Sequence, residues 1–191
     1  MEFKDKRVII TAGAGGIGRE TTRLFVEAGA KVFICDIDET ALENTLSSFD
    51  NVSGVRVDVS DPDQFKSFFN KADEYLGGLD IMINNAGTAG PTALIEDISL
   101  EEWSNCININ LTSAFLGTQE SIPRIKDSNN EGGSIINLSS AAGKFGFPLR
   151  SPYSAAKWAI VGLTRTTALE VGKYGIRCNC IQPGPVDGDR I

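Results

Sequence analysis

Two side chains four positions apart are the first candidates for chemistry in this chain, the phenol of Tyr153 and the ammonium of Lys157 in Tyr153-Ser-Ala-Ala-Lys157. On a helix, positions four apart share one face about one turn from each other. A neighbouring cation favours an ionised phenol. A place just inside a helix N-terminus adds the positive end of the helix dipole. A phenol so placed is a usable general acid–base. The spacing by itself is equally compatible with an ordinary solvated helix face.

The second group is glycine-rich. Thr11-Ala-Gly-Ala-Gly-Gly-Ile-Gly18 follows an apolar run and opens a helical pattern. Gly13, Gly15 and Gly18 fit the spacing G-x-G-x-x-G, while Gly16 and Gly18 also fit a second spacing. Such a turn brings backbone close to a pyrophosphate and seats that charge on a helix N-terminus. A tight turn with no ligand is the plain alternative. Asp36 closes the next apolar run, 18 residues after Gly18. An acidic residue there can accept hydrogen bonds from both adenosine ribose hydroxyls and would repel a 2′-phosphate. Position 37 is Ile, and no Arg or Lys interrupts the turn. The pattern therefore favours NAD over NADP. An exposed Asp opening a turn is the competing reading of Asp36.

These residues need elements to hold them. Strand-like runs cover Val8–Thr11, Lys31–Cys35, Val55–Val59, Leu79–Asn84, Ser134–Leu138 and Ile176–Gln182. Helical patterns cover Ile17–Ala28, Glu39–Phe49, Asp63–Leu76, Leu100–Asn105 and Cys106–Ile125, the join of the last two being unplaced. A further helix runs from Ser151-Pro152, read as a cap followed by proline, to about Tyr174. Ser60-Asp61-Pro62 marks a helix start, and Ser99 with Glu102 forms a capping box. Strands alternating with helices imply an α/β fold: a doubly wound parallel sheet of the Rossmann kind, three layers α/β/α, with residues 1–191 as a single domain.

Composition narrows the function. The 191 residues carry a formal charge of −7 and no histidine. Imidazole catalysis and His-ligated metals are excluded, and a nucleic-acid partner does not fit the charge. The four cysteines form no CxxC pair and read as free thiols. No run is long enough to span a bilayer, and a cytoplasmic location is the expectation.

The motifs taken together and in order resemble the short, non-extended type of short-chain dehydrogenase/reductase. They are the glycine turn, Asn84-Asn-Ala-Gly87, Ile107-Asn-Ile-Asn-Leu111, Ile136-Asn-Leu-Ser-Ser140, Tyr153-x-x-x-Lys157 and Pro183-Gly-Pro-Val186. The likeness covers essentially the whole chain. It implies that Tyr153 exchanges a proton with the oxygen of an alcohol or carbonyl substrate and that Ser140 polarises that oxygen. Lys157 would hold the nicotinamide ribose, and Asn110 would order a water that relays protons to Lys157. Ser140 is preferred to Ser139 because it lies 13 residues before Tyr153, the family interval.

For the cofactor, the resemblance implies that Gly13, Gly15, Gly16, Ile17 and Gly18 face the pyrophosphate. Asp58 and Val59 would flank the adenine, and Asn85, Ala86 and Gly87 would lie under the adenosine ribose. Tyr153 and Lys157, with Pro183, Gly184 and Val186, would border the nicotinamide. Asn84 reads as structural. The reaction implied is hydride transfer between NAD and a small secondary alcohol or ketone, in a homodimer or homotetramer paired through the helices over Cys106–Ile125 and Tyr153–Tyr174.

Three departures from the family pattern stand out. Ala12 replaces a glycine, and a backbone adjustment is expected because Ala is strained at positive φ. Gly188 stands where the family often has Thr, leaving Asp187 or Arg190 as substitutes. The chain stops at Ile191, before the lid and last strand usual in the family, which would leave the sixth strand at a sheet edge. Ala141, Ala142, Phe145, Phe147 and Leu149 fit either an apolar pocket wall or packing. A non-catalytic NAD-binding regulator, and an epimerase or dehydratase that retains NAD, are the competing functions on this fold.

Overall fold

The computed structural model describes residues 3–128 and 132–186. Six strands, β1 (Arg7–Thr11), β2 (Lys31–Asp36), β3 (Val52–Arg56), β4 (Ile81–Asn84), β5 (Gly133–Leu138) and β6 (Ile176–Ile181), form one sheet in the order β3-β2-β1-β4-β5-β6. Every pairing is parallel. Helices α1 (Gly16–Glu27), α2 (Glu39–Ser48), α3 (Pro62–Leu76), α4 (Leu100–Ile107), α5 (Ser113–Asp127) and α6 (Ser151–Val171) flank it, and a π-helical turn, Asn108–Thr112, joins α4 to α5. This is the doubly wound, Rossmann-like architecture expected from the alternating pattern.

The strands read as continuous apolar runs because both faces are covered. Successive residues of β1 alternate between two cores: Ile9 packs with Phe33, Phe65, Phe68, Phe69 and Met82 on one face, while Val8 and Ile10 pack with Val32, Ile34 and Ile83 on the other. Phe65, Phe68, Phe69, Ala72 and Leu76 repeat at helical spacing, and that stripe turns α3 onto the sheet. Asp61 caps α3 by accepting from the amides of Asp63 and Gln64. The Ser99–Glu102 capping box is formed.

The centre of the sheet also carries a buried polar chain. Asn84 Nδ2 donates to Asn137 Oδ1 (2.8 Å) and to Thr118 Oγ1 (3.2 Å), and Asn137 Nδ2 donates to Thr164 Oγ1 (2.9 Å). It links α5, β4, β5 and α6, which is the structural role expected of Asn84.

Three local expectations are corrected. The third strand runs over Val52–Arg56 and not Val55–Val59, so Asp58 and Val59 lie beyond its end. Its register is set by β2, with Val32 opposite Val52, and local alternation does not reveal that. Ser151 is the first residue of α6 and not its cap; Arg150 holds the cap position and makes no side-chain capping bond. Ala12 does not escape the left-handed region: its φ is +48°. β6 lies at the edge of the described sheet, as expected. Gly188, Asp187 and Arg190 lie outside the described residues.

Candidate active site and cofactor cleft

The order of the sheet reverses between β1 and β4, the place where a doubly wound sheet opens a crevice at its carboxyl ends. The glycine turn leaves β1 there. A Cβ on Gly13 would stand 2.7 Å from Ile34 Cβ, and one on Gly18 would stand 1.9 Å from the Ala12 carbonyl oxygen. Only hydrogen at these two positions lets the turn lie on β2 and the first turn of α1 close against it. Gly15, the N-cap of α1, offers no side-chain acceptor, and the first turn contains no acidic residue. The amides there are left for an external anion, which fits a pyrophosphate.

Asp36 is not the exposed turn residue of the competing reading. It is 4% exposed; Oδ2 accepts from Ala14 N (3.1 Å) and Oδ1 from Asp38 N (3.2 Å). Its carboxylate is thereby fixed beside the glycine turn, while the adjacent Ile37 is exposed and uncharged. Val57 N donates to the Asp36 carbonyl, which brings the segment carrying Asp58 and Val59 alongside. Asp58 Oδ1 accepts from the amide and hydroxyl of Ser60.

Across the crevice, Asn85 Nδ2 donates to the carbonyls of Thr11 and Ala12, both at 3.0 Å. Thr11 Oγ1 accepts from the amides of Asn85 and Ala86, also both at 3.0 Å. The side chain of Asn85 is therefore spent on fastening the turn. Pro183 sits past β6 with its carbonyl accepting from Ala141 N (2.9 Å), while Gly184 and Val186 are exposed.

Ser140, Tyr153, Lys157 and Asn110 come from three different elements. Lys157 Nζ lies 5.5 Å from the centroid of the Tyr153 ring, so both side chains leave α6 on one side. Nζ donates to the Leu138 carbonyl (2.8 Å), just before Ser139 and Ser140. Ser139 Oγ donates to the Lys157 carbonyl and Ser154 Oγ to the Ala142 carbonyl, which stitches the end of β5 to α6. Ser139 is buried in that stitch, whereas Ser140 is only partly buried. Ser140 Oγ accepts from Ala142 N (3.2 Å), which leaves its hydroxyl hydrogen uncommitted by that bond. Burial pushes the Lys157 ammonium down to about 8, with attraction from Cys106 acting the other way.

Asn110, fully buried in the π-helical turn, donates from Nδ2 to the carbonyls of Thr88 and Cys106 and accepts from Thr88 N at Oδ1. A Cβ on Gly87 would stand 2.9 Å from Asn110 Oδ1 and 3.3 Å from Lys157 Nζ. Both polar tips thus converge on Gly87, and a side chain there would press on them.

A family model described as short chain dehydrogenase matches residues 6–190. The chain belongs to the short-chain dehydrogenase family. Among similar proteins, trans-4-hydroxycyclohexanecarboxylate dehydrogenase of Sinomonas cyclohexanicum is 38% identical over 95% of this chain and 73% of its own length. The 3-alpha-(or 20-beta)-hydroxysteroid dehydrogenase of Mycobacterium tuberculosis is 39% identical, over 95% and 69%. The 3-oxoacyl-[acyl-carrier-protein] reductase of Thermotoga maritima is 35% identical, over 98% and 76%. Short-chain dehydrogenases are oxidoreductases that use nicotinamide cofactors, and the cradle described above suits such a group. Among the described residues no helix is long and apolar enough to cross a membrane.

Sequence reasoning passed over three members of this site. Thr11 was visible as a hydroxyl closing an apolar strand directly before the glycines. Cys106 and Arg150, which pack around the Asn110 loop, carry no local signal. Phe145, Phe147 and Leu149 are exposed at 62%, 53% and 45%, so core packing does not explain them, whereas Ala142 is buried.

Proposed function

We propose that this short-chain dehydrogenase transfers hydride between NAD and a small secondary alcohol or ketone, with Tyr153 as the acid–base. The observation that carries this reading is the convergence of Tyr153, Lys157 and the Ser140 segment at the carboxyl end of β5, the same end of the parallel sheet from which the glycine turn leaves β1, two strands away.

The nicotinamide, when bound, supplies the hydride acceptor or donor. The protein supplies position and proton transfer. The first-turn amides of α1, around Gly13, Gly15, Gly16, Ile17 and Gly18, take the pyrophosphate. Asp36 accepts from the adenosine ribose hydroxyls and disfavours a 2′-phosphate, hence NAD. Asp58, Val59, Asn85, Ala86 and Gly87 line the adenosine side. Pro183, Gly184 and Val186 border the nicotinamide side. Ser140 donates a hydrogen bond to the substrate oxygen. Tyr153 Oη takes the proton from that oxygen during oxidation and returns it during reduction. Lys157 steadies the ionised phenol and holds the ribose, and Asn110 orders a water between Lys157 and solvent. The presence of Ser140, Tyr153 and Lys157 together argues against a non-catalytic regulator. The exposed apolar residues of α4, α5 and α6 support a homodimer or homotetramer.

The test compares wild-type and Tyr153→Phe protein, following reduced nicotinamide by absorbance with a panel of secondary alcohols and either NAD+ or NADP+. Loss of the acid–base is expected to cost at least about 10²-fold in turnover, with NAD+ binding retained and NAD+ preferred by the wild type. Turnover by Tyr153→Phe at the wild-type rate would remove the acid–base assignment. A preference for NADP+ would remove the role given to Asp36.

A further inference from the structure

Arg150 stands at the N-cap of α6, three residues before Tyr153, and takes no part in the scheme above. Its Nη1 lies within hydrogen-bond distance of three consecutive carbonyls, Gly90 at 2.8 Å, Ala89 at 3.2 Å and Pro91 at 3.4 Å, which its two hydrogens serve by sharing. The ion pairs among the described residues involve Arg7, Arg23 and Arg124, and none involves Arg150. The guanidinium is thus committed to backbone, where charged donors make the stronger hydrogen bonds.

The backbone it holds runs directly from the site. Thr88, next to Gly87, is gripped by both ends of the Asn110 amide. Gly90 has φ +66°, and a Cβ there would stand 2.7 Å from Cys106 Sγ, so the loop is also seated closely on α4. A second tie joins the same two segments: Ala93 N donates to the Leu149 carbonyl (3.2 Å). Leu149 itself sits at φ +64°, a strained conformation for a non-glycine residue that persists only when its surroundings fix it.

We propose that Arg150 is a positioning residue for the reaction: by clamping carbonyls 89–91 it holds the Gly87–Pro91 segment, and with it Asn110 and Lys157, in register with the helix that carries Tyr153. This rests on the function proposed above. In this role the guanidinium acts through the loop and not on the reacting atoms. All three contacts come from one terminal nitrogen, so what Arg supplies here is reach and a charge that it keeps at any working pH, whereas a lysine ammonium sits on a shorter stem.

The experiment uses the full chain with Arg150→Gln and Arg150→Lys. Amide hydrogen exchange is read at Thr88 and Ala93, NAD+ affinity by fluorescence, and kcat and KM with cyclohexanol and NAD+. In Arg150→Gln, exchange at Thr88 is expected to rise about tenfold through loss of the charged hydrogen bonds. The kcat for cyclohexanol should fall roughly tenfold through misplacement of the reacting groups, with KM and NAD+ affinity changing little. Arg150→Lys should recover part of both losses. It also provides a folded comparison if the glutamine variant fails to fold. Unchanged protection of Thr88 overturns the clamp, and faster exchange with unchanged kcat overturns the positioning role. A wild-type protein that oxidises no secondary alcohol defeats the proposed function and the positioning role with it, while exchange at Thr88 still decides whether the clamp exists.

Discussion

Lys157 shows how one residue can be suited to its place by the cost of being there. Its side chain is almost wholly buried, with Nζ on the Leu138 carbonyl, and burial lowers its pKa from 10.5 to about 8. The charged and titratable groups around it are Tyr153 on its own helix, Cys106 on α4 and, beyond Cys106, Arg150. A lysine whose folded pKa is depressed binds its proton less tightly folded than unfolded. The cost of the buried charge is complete below about pH 8 and is relieved as pH rises towards 10.5. Relative to a Lys157→Met variant, which lacks this titration, the wild type should therefore gain stability across that window, by on the order of 3 kcal/mol at most. Urea unfolding of both proteins at pH 7.5 and 10 measures the difference. A gap that stays constant would mean that Lys157 titrates as an exposed lysine. In the sequence, spacing raised Tyr153 and Lys157 as candidates, and the ordered motifs around them carried the reading. What spacing could not supply was the burial of the ammonium, which depends on β5 and α4 closing over it.

At the level of elements, legibility followed the number of neighbours that must agree. β1, covered on both faces, announced itself as an unbroken apolar run, and α3 by its aromatic stripe. β3 has one partner strand and is half-buried, so its own alternation pointed to the wrong start. The join between α4 and α5 is a π-helical turn carrying Asn110, whose grip on Thr88 is a long-range tie that no local pattern encodes. The start of α6 is similar: Ser-Pro reads as a cap, but Arg150 is drawn to the loop carbonyls and the helix begins one residue away from that reading. Ala12 is the element-scale feature most open to measurement. Holding an L-residue in the left-handed region costs roughly 1–2 kcal/mol, and glycine's extra chain freedom gives back about 0.5–1. Ala12→Gly should then stabilise the protein by about 0.5–1 kcal/mol, read as a higher urea midpoint with unchanged slope. A lower midpoint would mean that the alanine methyl contributes packing that outweighs its strain.

For the molecule as a whole, the surface distribution of apolar side chains matters more than their number. Leu100 and Trp103 on α4, Phe115 on α5, and Trp158 and Leu169 on α6 are all exposed, Leu169 at 87%. The pairing proposed through α5 and α6 predicts that Trp158→Glu combined with Leu169→Glu lowers the mass measured by light scattering while leaving the circular dichroism of the folded chain unchanged. An unaltered mass would place the contact elsewhere or show the chain to be monomeric. The architecture itself was legible because alternating strands and helices admit few topologies. Which helix faces turn outward was not, since an apolar stripe looks the same whether it meets the sheet or another subunit.

The fastening of the glycine turn has a consequence for biosynthesis. Thr11 and Asn85 stand side by side in the folded protein but 74 residues apart along the chain. A growing polypeptide that has delivered its first three strands to the tunnel exit has its glycine turn tied to β2 and α1 but not yet fastened by Asn85. The last ties on the turn therefore wait for the fourth strand to emerge and insert beside the first, so the oldest part of the chain is completed by a much younger one.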